Sequence, residues 1–243
     1  MRISLQLYTL RDSLATDLPA TLDQVRDIGL EFVEFAGDYG LSPAEWRDHI
    51  ESRGMKFSAA HIGFDRIRDD FDDVVASCKG MGIDTVVVPW IGEDQYKDGW
   101  DAFGRVLQPL GQMLKKEGLQ MAYHNHAFEF QTDGLNGLYG ATSPDILNAQ
   151  LDLAWVHIGG ADPVDYIKRF SDRTKQVHLK DYDPDKTPRW QPAGQGVLDM
   201  DAILRACEEI GVQYGSIELD ESAIPPIEAV SQSFEFFKSK GLS

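Results

Sequence analysis

Short apolar runs and longer amphipathic stretches alternate along the whole chain. Eight runs rich in apolar and β-branched residues read as strands: residues 3–8, 32–35, 57–61, 85–90, 120–126, 149–153, 176–180 and 215–219. Between them, residues 18–28, 43–53, 71–81, 100–117, 163–170, 200–210 and 227–240 carry apolar positions at helical spacing. Several of these stretches stop at a glycine, among them Gly29, Gly54, Gly82, Gly118, Gly211 and Gly241, as helix C-termini do. Ser42-Pro43 and Asp162-Pro163 each read as an N-cap followed by a first-turn proline. After the fifth strand the pattern weakens. Residues 132–141 are glycine-rich and read as a loop, and only 144–148 look helical.

Eight strands alternating with about eight helices predict a (β/α)8 TIM barrel, one domain spanning residues 1–243. An open doubly wound sheet would want a glycine-rich phosphate loop after the first strand, and LYTLRD stands there instead. The phase of each strand adds detail. Leu151 and Leu153 oppose Gln150 and Asp152; Val177 and Leu179 oppose His178 and Lys180; Ile217 and Leu219 oppose Ser216 and Glu218. A barrel strand turns its aliphatic side toward the helices and its other side into the lumen. Gln6, Tyr8, His124, His126, Asp152, His178, Lys180 and Glu218 are therefore expected to point inward, at the strand ends where barrel enzymes keep their active sites.

Composition narrows the partners. The 243 residues hold 40 acidic and 23 basic side chains, a formal charge of −17, and no Lys/Arg run. A phosphate backbone needs a basic stripe, so nucleic acid is not an expected partner. The N-terminus lacks the apolar stretch of a signal peptide, and no run approaches membrane-spanning length, so no membrane partner and a cytoplasmic location are expected. Cys78 and Cys207 form no motif and read as buried free thiols.

Asp152, His178 and Glu218 offer metal ligands from three separate strands. A fourth would come from His124, His126 or Glu129. A carboxylate-rich set suits one Mn²⁺ or Mg²⁺, and Zn²⁺ if a histidine replaces an acid. Such an ion can chelate adjacent oxygens of a hydroxy-ketone and acidify the α-carbon proton, which a nearby carboxylate or imidazole moves. Taken singly, an inward histidine is more often a hydrogen-bonded core residue, and an acid at a strand end is often a cap. Recurrence at equivalent positions on four strands favours a site. His49 reads as surface, His61 falls out of phase with Ser58 and Ala60, and His157 lies in a loop. Tyr8, Trp90, Trp155 and Trp190 read equally well as a sugar-facing wall or as core.

The segments QLYTLRD, YHNHAFEF, LDLAWVHIGGADP, HLKD (178–181), GQGVLD (194–199) and IELDES give the chain, over nearly its full length, a resemblance to the sugar phosphate isomerase/epimerase superfamily, the xylose isomerase-like barrels. The resemblance implies metal ligands Glu129, Asp152, His178 and Glu218. It departs from the usual Glu-Asn-His at His124-Asn125-His126, which makes Glu129 the simplest source of the missing carboxylate and His124 the alternative. Trp155 stands where many relatives have a further histidine, which argues for one metal rather than several. By the same resemblance, Glu129 or Glu218 abstracts the proton, His124 or His126 assists, and Lys180 steadies the developing negative charge. Gln6, Tyr8, Trp155 and Arg189 are candidate substrate contacts. The implied activity is a divalent-metal-dependent, Mn²⁺-favouring isomerase or epimerase of a sugar or keto-sugar. The alternatives are a lyase or dehydratase on a keto-sugar, inosose or 3-oxo-glycoside, and a non-catalytic sugar-binding subunit. A homo-oligomer is compatible with the sequence. The lack of a phosphate loop points to a substrate without phosphate.

Overall fold

The eight apolar runs pair in parallel and close on themselves. The computed structural model describes residues 1–243 and contains β1 (Arg2–Gln6), β2 (Phe32–Phe35), β3 (Lys56–His61), β4 (Thr85–Val88), β5 (Gln120–His124), β6 (Leu147–Asp152), β7 (Thr174–His178) and β8 (Tyr214–Ile217). Each strand hydrogen-bonds to the next, and β8 returns to β1 with Arg2 opposite Tyr214 and Leu5 opposite Ile217. The main outer helices are α1 (Leu18–Ile28), α2 (Pro43–Glu51), α3 (Phe71–Met81), α4 (Trp100–Lys116), α5 (Gly134–Gly140), α6 (Pro163–Arg169), α7 (Met200–Ile210) and α8 (Pro226–Ser239). Local chemistry sets their ends. Asp17 accepts the Ala20 N–H at the start of α1, and Gly29 takes φ 102° just past its end, a left-handed turn glycine adopts without strain. No helix is long and apolar enough to cross a membrane.

The apolar core lies between strands and helices, where Ile3, Leu5, Val33, Leu151, Val177 and Ile217 are fully or almost fully buried. The lumen is polar instead. Ser4, Gln6, Glu34, Ser58, Gln150, Gln176 and His178 are all buried there and satisfy one another. Ser4 and Ser58 share a hydroxyl hydrogen bond of 2.7 Å, Gln6 Nε2 donates to Glu34 Oε2 at 2.8 Å, and Gln150 Nε2 donates to Gln176 Oε1 at 2.9 Å. A buried polar group without such a partner costs about 1–3 kcal/mol, so this network has to be complete for the barrel to close.

A bulge in β3 alters the expected phase. Val33 pairs with Phe57 but Glu34 pairs with Ala59, so Ser58 is an extra residue in its strand. The alternation restarts after it, and His61 turns into the lumen.

The glycine-rich stretch also differs from expectation. Residues 134–140 form α5, whereas 144–146 are a turn and Leu147 and Asn148 already belong to β6, paired with Met121 and Ala122. Arg173 holds the turn, donating to Thr142 Oγ1 at 3.0 Å and Thr142 O at 3.1 Å. The glycines allow α5 to press against α4. A Cβ at Gly134 would lie 2.6 Å from the Trp100 indole and 2.8 Å from the Glu129 carbonyl, and one at Gly104 would lie 2.7 Å from the Leu138 carbonyl. Tight helix contact, rather than flexibility, accounts for them.

A pair of alanine substitutions in α5 separates these roles. Gly134→Ala is expected to cost about 1–3 kcal/mol by overpacking. Gly140→Ala, with nothing near its Cβ, is expected to be neutral or to stabilise by up to about 1 kcal/mol. Urea unfolding curves of the two variants give the comparison.

Candidate metal and sugar site

Four strands end on four ligand-type side chains. His124, Asp152 and His178 are the last residues of β5, β6 and β7, and Glu218 follows the last residue of β8. One ligand atom from each lies within 4.8 Å of the others, and all four residues are buried. His124 and Glu218 line a cavity of about 680 Å³ together with His61, His126, Lys180 and Asp220, with Tyr8, Arg11 and Trp90 toward the mouth; Asp152 and His178 stand behind that lining.

Each side chain is held by a definite partner. His124 Nδ1 donates to Gln150 Oε1 at 3.2 Å, which leaves Nε2 as the open nitrogen, 3.9 Å from Asp152 Oδ2. Asp152 caps the helical turn that follows it, accepting the Trp155 N–H on Oδ1 at 2.9 Å. Its Oδ2 is buried with no hydrogen bond, although the Lys180 ammonium lies 3.3 Å away. The same ammonium is 3.0 Å from Glu218 and 2.8 Å from Asp220. His178 is gripped on both sides, with Nδ1 2.6 Å from Glu218 Oε2 and Nε2 2.6 Å from Glu34 Oε2.

Burial and these neighbours spread the acidities. Burial alone would push the His178 ring down, but the two carboxylates override it and raise it to about 10. Burial lifts Asp152 to about 6 against the pull of Lys180 and His178. Glu218 is buried too, yet Lys180 and His178 hold it well below the usual carboxylate range. Burial drives His126 down to about 3, with Lys180 adding to the effect. Burial also lifts Glu129 to about 7, despite its hydrogen bonds from the His126 and Glu129 backbone and the Tyr123 hydroxyl.

Not every residue expected at the site meets there. Glu129 lies outside the group of four; its carboxylate accepts from Tyr123 Oη at 2.8 Å and His126 N at 3.0 Å. His126 lines the cavity, its ring 5.1 Å from that of His124. Gln6 reaches the site only through Glu34. Tyr8 does not point down the lumen, because β1 ends at Gln6 and a 3₁₀ turn carries the ring to the mouth, 45% exposed. Trp155 packs beside His126 and Trp190, within 5.7 Å of the Lys180 ammonium. Arg189 is exposed in the loop just before the second strand of a small ribbon (Asp181–Tyr182 with Trp190–Gln191) and does not line the cavity. The Asp of HLKD and the GQGVLD segment serve architecture. Asp181 accepts N–H groups of Gly194, Gly196 and Leu198, and Asp199 caps α7.

Glu34, His61, Arg11 and Asp220 escaped sequence reasoning. Glu34 carried one signal, a lone charge in the apolar strand FVEF. His61 Nε2 donates to Gln150 Oε1 at 2.7 Å and its ring stacks on His178 at 5.3 Å, but the β3 bulge hid its direction.

A family model described as xylose isomerase-like TIM barrel matches residues 22–240. An inosose dehydratase of Lacticaseibacillus casei is 21% identical over 230 residues, covering 78% of this chain and 77% of that protein. Among solved structures, a sugar phosphate isomerase/epimerase from Parabacteroides distasonis superposes with a TM-score of 0.84 at 21% identity, over 98% of this chain and 93% of that one. The IolI protein with a bound zinc atom superposes with a TM-score of 0.74 at 18% identity, over 98% and 97%. At these identities the structural likeness is one of fold.

Replacing Lys180 tests the electrostatics of the cluster. Lys180→Met leaves three carboxylates without their ammonium, and is expected to cost about 3–5 kcal/mol in metal-free protein at pH 7.5. Asp152, already raised to about 6 beside the ammonium, rises further without it. A carboxyl whose folded pKa is raised destabilises the fold above that pKa and ceases to do so once protonated. The deficit is therefore expected to shrink at pH 5, as read from urea unfolding at the two pH values.

Proposed function

The chain belongs to the xylose isomerase-like TIM barrel family, and we propose that it is a divalent-metal-dependent enzyme acting on a sugar or keto-sugar by proton transfer α to a carbonyl. The observation that carries this reading is the donor set of His124, Asp152, His178 and Glu218, with the buried Asp152 Oδ2 lacking any hydrogen bond. A buried carboxylate oxygen with no hydrogen bond, its nearest charge partner the Lys180 ammonium 3.3 Å away, fits a cation among converging carboxylates and imidazoles. The four residues would hold one ion. With His124 as the fourth ligand the set has two nitrogens and two oxygens, which suits Zn²⁺ as well as the Mn²⁺ favoured by the alternative of three carboxylates and one imidazole through Glu129. When bound, the ion would supply Lewis acidity toward a substrate carbonyl.

The chain's own residues supply the rest. Glu218 lines the cavity and, held ionised by Lys180 and His178, accepts the proton; Glu129 does not line the cavity, and its carboxylate, held by Tyr123 and the His126 backbone, supports that segment rather than meeting substrate. Lys180 stays cationic and steadies negative charge developing on substrate oxygens. His126, neutral at pH 7 because burial lowers it to about 3, orients a hydroxyl from the cavity wall. Return of the proton makes the reaction an isomerisation or epimerisation, our first reading. Loss of a β-substituent makes it a dehydration, the second reading, which the likeness to inosose dehydratases favours.

Metal analysis and a keto-sugar panel followed by NMR in D₂O test this. Deuterium entering a substrate carbon without loss of mass supports the isomerase, and loss of water supports the dehydratase. A protein that binds metal yet exchanges no proton on any member of the panel sinks the catalytic reading. Glu218→Gln is expected to lower the exchange rate about 10²–10⁴-fold while the circular dichroism spectrum is kept.

A further inference from the structure

We infer that Glu34 is the positioning residue for His178: it fixes the ring so that Nδ1 faces the metal and Nε2–H faces away from it. The inference rests on the proposed metal site above. Glu34 sits on β2 and is fully buried in the lumen, where residues from four other strands meet it. Gln6 Nε2 reaches it from β1 at 2.8 Å, His178 Nε2 from β7 at 2.6 Å, His61 Nε2 from β3 at 3.5 Å, and Gln150 donates to it from β6.

No lysine or arginine pairs with this carboxylate; imidazoles are its only cationic contacts. Burying a carboxylate is costly even beside imidazoles, and the neutral oxygen of a glutamine could have accepted from Gln6 and Gln150. What an anion adds here is a strong, oriented hydrogen bond from His178. A carboxylate behind a ligating imidazole is how metal sites fix ring orientation and choice of nitrogen.

The geometry also decides which nitrogen is free for the ion. Both oxygens of Glu34 already take donors, and Glu34 does not belong to the group of four. Nδ1 faces Glu218, which lines the cavity beside Lys180 and Asp220. A cation among Asp152, His124 and Glu218 therefore meets Nδ1. His124 follows the same logic with its ring reversed: Gln150 takes Nδ1–H, and Nε2 is left for the ion.

Protein labelled with ¹⁵N-histidine, titrated with Zn²⁺ and followed by long-range ¹H–¹⁵N spectra, reads the two nitrogens of His178 separately. The expected result is metal on Nδ1 with the proton retained on Nε2; metal on Nε2 overturns the inference. In Glu34→Gln, Zn²⁺ affinity measured against a competing chelator is expected to fall ten- to a hundredfold, and the His178 spectrum to lose its single orientation. An unchanged affinity and spectrum in that variant also overturn it. Should the variant fail to fold, the wild-type spectrum still decides. Wild-type protein that takes up no divalent ion defeats the metal reading itself, and with it this role. That outcome is visible before any variant is made.

Discussion

Glu34 and Glu218 approach His178 from opposite sides, each 2.6 Å from a ring nitrogen, with Glu34 and His178 fully buried and Glu218 at the edge of the cavity. Neither acid could stay ionised there alone, because desolvating a charge without a partner costs several kcal/mol. The imidazolium between them makes the pair tolerable and ties β2, β7 and β8 together across the lumen. The rest of the floor arranges itself around this contact. Gln6 and Gln150 complete the Glu34 carboxylate from below, and Lys180 completes Glu218 from above.

A polar lumen is an unusual filling for a barrel of this kind, whose interior is more often packed with branched aliphatic side chains. Here serines and glutamines occupy those layers, with only Ala59, Val87 and Ala122 as a small apolar patch. The apolar material has moved outward, under the helices. The division follows from strand alternation, and its effect is a rigid hydrogen-bonded base beneath the reactive groups. Gln150 shows the economy of it, joining Glu34, Gln176, His61 and His124 through one amide.

Much of this was readable beforehand, for physical reasons. The eight strands announced themselves because each must bury one aliphatic side, and Asp152, His178 and Glu218 stood out because they interrupt that side's partner face. β2 and β3 end where the pattern puts them, at Phe35 and His61, whereas the other strands end one or two residues earlier than it suggests. The last inward residues leave the ladder for turns, as Tyr8 does. His61 was missed because one extra residue, Ser58, reverses the period-two rule, and a single inserted residue leaves no trace in composition. The helix at 134–140 was missed because glycine disfavours helices on its own, and only the neighbouring Trp100 ring explains its presence. Glu129 was expected with the other acids by resemblance, whereas its carboxylate is engaged by Tyr123 and the backbone of His126.

The ammonium of Lys180, set among Asp152, Glu218 and Asp220, acts as an internal substitute ion. A tethered positive charge lets these acids come together, so that closing the strand ends over them depends on no cation from outside the chain.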